Sequence, residues 1–108
     1  VVPLLALGGV GVITVLGNVA PSRVSRMVYA FLEGDVATAR EIQLRFLPLI
    51  HELFATSNPI PIKAAVAWRG FEVGDPRPPL VPLTDEARER LAAALREAGL
   101  RPAATEAA

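Results

Sequence analysis

Apolar and polar positions divide the chain into one β-like segment and a series of helices. Residues 8–18 (GGVGVITVLGN) hold a short β-branched apolar run between glycines, which is typical of a strand buried on both faces. Residues 1–7 are Leu-rich and end at a glycine pair, which predicts the last turns of a helix. The sequence offers no second strand to pair with the first. We therefore expect the chain to be part of a larger α/β fold.

Two helices are predicted directly after the strand. Residues 21–33 begin at a proline suited to the first helical position and carry one apolar face at i, i+3, i+4 and i+7 spacing. Residues 35–54 begin at Asp35, whose carboxylate can accept hydrogen bonds from the first backbone N–H groups. Pro48 inside this second helix removes a backbone hydrogen bond and predicts a kink.

Two further helices follow, separated by a proline-rich link. Asn58 stands just before Pro59 as a candidate cap of the third helix, which Gly70 ends. Thr84 caps the fourth, and Gly99 ends it. Four prolines between these helices predict an extended connection.

Composition supports the view that the chain is incomplete. Its 108 residues are 52% hydrophobic with a mean hydropathy of +0.40, although a small domain needs proportionally more polar surface. We expect another part of the same protein, or a partner, to cover the excess apolar surface. The opening Val-Val-Pro resembles neither a natural start nor a targeting peptide. No apolar run approaches the roughly 20 residues of a membrane-spanning helix, so we expect no membrane insertion.

Charge and cysteine content exclude several functions. The net charge is zero, with 11 basic and 11 acidic residues, which argues against nucleic acid or an anionic membrane as a partner. The chain has no cysteine, so disulfides, thiol nucleophiles and Cys-based metal sites are excluded, and a cytosolic setting fits. Lys63 is the only lysine, and the other ten basic residues are arginines.

Five sequence stretches, in this order, resemble a known family: LGGVGVITVLGNVA, EGD, LPLIHELF, NPIPIK and LVPLTDEARERLAAALREAGL. Together they are similar to the carboxyl-terminal third of the dihydrodipicolinate synthase (4-hydroxy-tetrahydrodipicolinate synthase) family. That family belongs to the class I, lysine-dependent aldolase superfamily, which includes N-acetylneuraminate lyase. The resemblance extends from about Leu4 to Leu100, and its most specific parts are GG-x-GVI-x-V and NPIP-x-K.

The resemblance implies a fold class and a division of the chain. Members are α/β proteins with a (β/α)8 TIM barrel and a small helical domain at the carboxyl end. A complete barrel takes about 250 residues, more than this chain has. Residues 1–34 would then be the end of the barrel, comprising a helix stub, strand eight and helix eight. Residues 35–100 would be the appended three-helix domain, and residues 101–108 a disordered tail.

The resemblance also implies an activity for the parent protein. The family comprises lyases that condense pyruvate with aspartate semialdehyde through a lysine Schiff base, in lysine and diaminopimelate biosynthesis. The parent is expected to be a cytoplasmic homotetramer without a cofactor. In the family's order, the Schiff-base lysine, the proton-relaying tyrosine and the carboxylate-binding arginine all precede Val1. We therefore expect no catalytic residue in this chain, and no activity from it alone.

Two residues are candidate contacts to the substrate. By the resemblance, Ile13 lies near the carboxyl end of strand eight and lines the pyruvate pocket, although ordinary barrel core explains it equally well. Asn58 matches the Asn of NPIP close to the substrate cavity, and it also serves as a helix cap. Lys63 is expected to be structural or solvated. His51 beside Glu52 lacks a second histidine at helical spacing, so no metal site is predicted.

Other interpretations remain open. Leu7 fits a contact between copies in a dimer-of-dimers tetramer, or intramolecular core. The parent could instead be a related aldolase acting on a sialic acid or a keto-deoxy sugar acid. A non-catalytic helical interaction domain is a third hypothesis. A well-folded monomer without exposed apolar surface would favour that hypothesis, whereas strong binding of an apolar dye would favour the fragment.

Overall fold

The structure, a computed structural model, describes residues 1–104 of the chain. Within these residues the backbone forms five α-helices and one short 3₁₀ helix. In chain order they are α1 (Val2–Ala6), the 3₁₀ helix (Val15–Asn18), α2 (Pro21–Leu32), α3 (Val36–Leu53), α4 (Ile60–Trp68) and α5 (Asp85–Glu97). None of these helices is both long enough and apolar enough to span a membrane.

The chain divides into two compact units, Val1–Leu47 and the residues from Pro48 onward. In the first unit α1 and the 3₁₀ helix pack on α2, and in the second α4 packs on α5. The division falls within α3, which continues through Pro48 to Leu53. The kink at Pro48 stays a prediction. So does the boundary between residues 1–34 and 35–100, which refers to the barrel of the complete protein.

The predicted strand over residues 8–18 is the main difference from the sequence analysis. Residues 1–104 contain no strand, and the backbone of residues 10–13 has no regular secondary structure. The carboxyl end of the prediction is wrong, because Val15–Asn18 forms a 3₁₀ helix. The Thr14 hydroxyl accepts a hydrogen bond from the Leu16 N–H (3.3 Å), and the Thr14 carbonyl accepts one from the Gly17 N–H (3.2 Å). A strand also needs a neighbouring strand for its hydrogen bonds, and residues 1–104 provide no neighbouring strand for residues 8–14.

The predicted helices are confirmed, because their signals are local. The helix stub before the glycine pair is α1, and α2 begins at Pro21 as expected. Asp35 caps α3 through a hydrogen bond from the Thr38 N–H to its carboxylate (3.1 Å). Thr84 caps α5 in the same way, because its hydroxyl accepts from the Ala87 N–H (3.2 Å).

Apolar side chains form the interior of each unit. In the first unit most of the apolar face predicted for α2 is buried together with side chains of α1 and the 3₁₀ helix, but Leu32 at its end is exposed. Its buried residues include Leu5, Leu16, Val24, Met27 and Val28. In the second unit, the facing sides of α4 and α5 are buried. They include Ile60, Ile62, Ala65, Leu91 and Leu95.

The tail predicted at residues 101–108 is hydrogen-bonded in its first part. The Arg101 carbonyl accepts from the Arg69 guanidinium (2.8 Å), and the Ala103 N–H donates to the Trp68 carbonyl (3.0 Å). These bonds involve only Arg101 and Ala103, and the disordered tail over residues 101–108 stays a prediction. Residues 105–108 lie outside the described residues.

Candidate functional site

The most distinctive feature of the first unit is an unpaired stretch of backbone, residues 10–13, which we call the open segment. Among residues 1–104, no backbone hydrogen bond involves any of these four residues. Their side chains are also exposed: Val10 is 82% exposed, and Ile13 is fully exposed. Within residues 1–104 no second layer covers the segment, so the predicted burial on both faces stays a prediction for a complete barrel. This segment combines apolar side chains with unpaired backbone N–H and C=O groups, and such a segment can pair with another strand.

The sequence at both ends fixes where the open segment begins and stops. The Gly8 N–H donates to the Leu5 carbonyl, and the Gly9 N–H donates to the Leu4 carbonyl, so the two glycines close α1. Gly8 has a φ of 102°, which favours glycine. A Cβ on Gly9 would lie 2.9 Å from the Leu4 carbonyl oxygen, so Gly9 is needed for space. At the other end, Thr14 starts the 3₁₀ helix.

An open hollow of about 790 Å³ lies between the open segment and α2. Val10 and Val12 line one side of it, and Val28, Tyr29 and Leu32 of α2 line the other. Tyr29 and Leu32 are exposed in this chain. The sequence analysis did not assign these two residues to a site. Ser25, Val28, Tyr29 and Leu32 follow the i, i+3, i+4, i+7 pattern, so a second face of α2 was the available signal.

The two predicted substrate contacts lie in different units. Ile13 belongs to the open segment of the first unit, where its side chain is in solvent. Asn58 belongs to the second unit and is also exposed. The prediction that Asn58 caps the third helix is wrong. Pro59 occupies the cap position of α4, without a side-chain hydrogen bond, and the Ile60 N–H donates to the Ser57 carbonyl instead.

Lys63 lies on α4, in the same NPIPIK stretch as Asn58, and is half-buried. It lines a hollow of about 320 Å³ together with Asp75 of the proline-rich link and Arg88 of α5. The remaining lining residues are mostly aliphatic or small. This position on the α4–α5 surface fits the prediction of a structural or solvated lysine.

Among the ionisable groups of residues 1–104, Asp35 has a clearly shifted pKa. Within residues 1–104, no three His, Asp or Glu side chains come together in a way that could hold a metal ion. The pKa of Asp35 is lowered, because the hydroxyl and backbone N–H of Thr38 donate to its carboxylate, with a smaller favourable contribution from the charge of Arg26. This shift results from helix capping. What the described residues do offer is a surface for pairing and packing.

Nearly the whole chain is similar in sequence to members of one protein family. Residues 1–98 match the model of the dihydrodipicolinate synthetase family. The 4-hydroxy-tetrahydrodipicolinate synthase of Caldicellulosiruptor bescii is 47% identical over 100 residues, which are 93% of this chain and 34% of the relative. That of Exiguobacterium is 50% identical over 97 residues, 90% of this chain and 33% of the relative. The chain thus spans about one third of the length of the curated relatives it matches.

Solved structures show the same similarity in three dimensions. The dihydrodipicolinate synthase of Thermotoga maritima matches with a TM-score of 0.86 and 39% identity, over 91% of this chain and 33% of that one. The synthase of Aquifex aeolicus matches with a TM-score of 0.87 and 38% identity, over 94% of this chain and 34% of that one. The fold of the chain is therefore similar to that of about one third of each of these synthase structures.

Proposed function

This chain belongs to the dihydrodipicolinate synthetase family, and from that membership we propose that it is the carboxyl-terminal part of a pyruvate-condensing lyase. The parent enzyme would join pyruvate to aspartate semialdehyde in lysine and diaminopimelate biosynthesis, in the cytoplasm. The observation that carries this proposal is the open segment, whose backbone is unpaired and whose side chains are apolar, in a chain that covers about one third of the length of the synthases. In the parent, the segment would be strand eight of the barrel, with its backbone paired on both sides.

The chemistry of the parent would begin with a lysine outside this chain. Its neutral amine attacks the pyruvate carbonyl, water leaves, and an imine forms that activates the methyl carbon for attack on the aldehyde. We do not assign this role to Lys63, because by the family's order the Schiff-base lysine precedes Val1. A Schiff-base lysine needs a pocket that keeps its amine neutral.

Within this chain, we assign Ile13 and Asn58 to the wall of the substrate pocket. Active sites in TIM barrels lie at the carboxyl ends of the strands, and Ile13 is the last residue of the open segment. Asn58 supports the assignment in a different way. Its side chain does not cap α4, so capping does not account for an asparagine at this position.

Leu7 is assigned to a contact between copies of the parent enzyme. It is 85% exposed in this chain, so its side chain is accessible for a contact with a second copy. In the complete parent, Leu7→Asp would be expected to shift the assembly towards smaller oligomers, as measured by sedimentation velocity, whereas Leu7→Met should not. An unchanged assembly in Leu7→Asp would contradict the assignment.

The lyase assignment can be tested by chemical trapping. Incubation of the 108-residue chain with pyruvate and borohydride, followed by mass spectrometry, should leave Lys63 unlabelled. The Thermotoga maritima synthase, treated in parallel, serves as the positive control and should be labelled. Reductive labelling of Lys63 in this chain would overturn the view that the Schiff-base lysine lies elsewhere.

Pairing of the open segment can be tested by complementation. We expect the chain to co-purify with the amino-terminal two thirds of the Thermotoga maritima synthase when both are expressed together. Val12→Pro should abolish co-purification, because proline lacks the N–H that a strand ladder needs. Val12→Thr retains the N–H and the β-branched shape and should co-purify normally. Equal behaviour of the two variants would refute strand pairing.

No observation favours the other two hypotheses. The relatives described above carry the synthase name and not that of a sialic acid or sugar acid aldolase. The family match extends over residues 1–98, which does not favour an unrelated interaction domain.

A further inference from the structure

We propose that residues 101–103 form a strap that closes over the carboxyl end of α4 and opens while the helices remain folded. This inference concerns the second unit alone and does not depend on the proposed function. The family match ends at residue 98, so the strap lies beyond the part of the chain that the family accounts for.

Two hydrogen bonds hold the strap. The Arg69 guanidinium donates to the Arg101 carbonyl at 2.8 Å, across 32 residues of sequence. The Ala103 N–H donates to the carbonyl of Trp68, the last residue of α4, at 3.0 Å. The last four carbonyls of a helix have no partner within the helix. Ala103 therefore satisfies a group that α4 cannot satisfy itself.

The end of α4 is shaped to accept the strap closely. Gly70 ends the helix with a φ of 102°, where its N–H donates to the Ala67 carbonyl. A Cβ placed on Gly70 would lie only 2.9 Å from the Cβ of Ala103. Gly70 is therefore needed both for its conformation and for the space that the strap occupies.

The composition of the strap explains why it opens separately. Residues 101–103 are all exposed and bury no large apolar side chain, and the contact between Arg69 and Arg101 is itself exposed. Segments with few buried contacts open at a lower free energy than the core to which they are attached. Leu95 of α5, in contrast, is fully buried.

Hydrogen exchange on the full 108-residue chain tests the strap directly. We expect the Ala103 amide to be protected, but to exchange faster than the Leu95 amide. Arg69→Ala should reduce the protection of Ala103 roughly fivefold, the size expected for a charge-assisted hydrogen bond at the surface, and leave Leu95 unchanged. Arg101→Ala is the matched control. It should leave Ala103 protected, because the strap uses only the Arg101 carbonyl.

A second set of variants tests the close approach at Gly70. Gly34 ends α2 with a φ of 92°, and a Cβ added there would have nothing within 4 Å, so Gly34→Ala introduces only conformational strain. Gly70→Ala should in addition abolish the protection of Ala103. Adding Ala103→Gly to Gly70→Ala should restore protection of that amide, because one of the two colliding methyl groups is removed.

The strap is supported when Arg69→Ala and Arg101→Ala differ as described, with the helical circular dichroism of both variants unchanged. Three results would overturn it. These are an unprotected Ala103 amide in the unaltered chain, equal loss of protection in the two arginine variants, and simultaneous exchange of Ala103 and Leu95.

Discussion

Residues 1–47 leave ten large apolar side chains exposed, whereas the described residues from Pro48 onward leave four, none of them on α4 or α5. The first unit packs α1 and the 3₁₀ helix on α2 and still has an open segment without backbone partners. In the second unit, α4 and α5 cover each other, and α5 has a hydrogen-bonded cap. The chain covers 34% of the length of its Caldicellulosiruptor bescii relative. Its exposed large apolar side chains lie mainly in the first unit.

The largest expected effect comes from truncating one side chain in each unit. Leu95→Ala should lower the free energy of unfolding by about 2–5 kcal/mol, because Leu95 is fully buried and its loss leaves a cavity. Ile13→Ala should change it by less than about 0.5 kcal/mol, because Ile13 is already in solvent. Urea unfolding followed by circular dichroism measures both. Comparable losses in the two variants would contradict the contrast between the units.

Removal of the α5 cap should have a smaller effect. Thr84→Ala removes the acceptor of the Ala87 N–H and should cost about 1 kcal/mol. The loss should be visible in the unfolding midpoint reported by the fluorescence of Trp68, the only tryptophan, which belongs to the same unit. Thr84→Ser retains the hydroxyl and should behave like the unaltered chain. An effect of Thr84→Ser as large as that of alanine would show that the cap is not the cause.

A pH titration distinguishes the caps of the two units. The pKa of Asp35 is lowered in the folded chain by its hydrogen bonds from Thr38. A lowered carboxyl pKa contributes stability that is present above the unfolded value of 3.8 and is lost as the pH falls through the folded value. Helicity should therefore decline on acidification below about pH 4. Asp35→Asn should remove part of this pH dependence, whereas Thr84→Ala should retain all of it.

The smallest effect is expected at the surface of the second unit. Arg90 and Glu52 form an ion pair with 3.7 Å between Nε and Oε2, and the Arg90 side chain is more than half exposed. Arg90→Ala should cost less than about 1 kcal/mol, and added salt should diminish the difference. Urea unfolding at low and high salt measures it. A loss similar to that of Leu95→Ala would mean that surface charge, and not the core, stabilises this unit.

Sequence reasoning succeeded where the determining interactions are local. Pro21 at the start of α2, Asp35 before α3 and Thr84 before α5 are signals that act within one helical turn, and the structure confirms all three. The prediction that Asn58 caps α4 was wrong, because two neighbouring residues of the NPIP motif can occupy the N-cap position and Pro59 occupies it.

The strand and the site could not be predicted from this chain in the same way. Whether residues 10–13 form a strand depends on hydrogen bonds from neighbours that lie outside the chain, so the local β-branched pattern was necessary but not sufficient. The roles of Ile13 and Asn58 were implied by resemblance to the family and stay proposals. The position of Tyr29 in the hollow beside the open segment could not be predicted from local sequence either, because it depends on tertiary packing.

The two glycines that close α1 can be distinguished from each other by substitution with a D-amino acid. At Gly8 the obstacle to a side chain is the sign of φ alone, because nothing lies within 4 Å of an added methyl group. A D-amino acid favours positive φ, so a chemically synthesised chain with D-alanine at position 8 should fold at least as well as one with glycine. At Gly9 the obstacle to an L-residue is the Leu4 carbonyl itself. The two glycines are adjacent and identical in the sequence, but they exclude L-residues for different reasons. At Gly8 the reason is the sign of φ, and at Gly9 it is the lack of space.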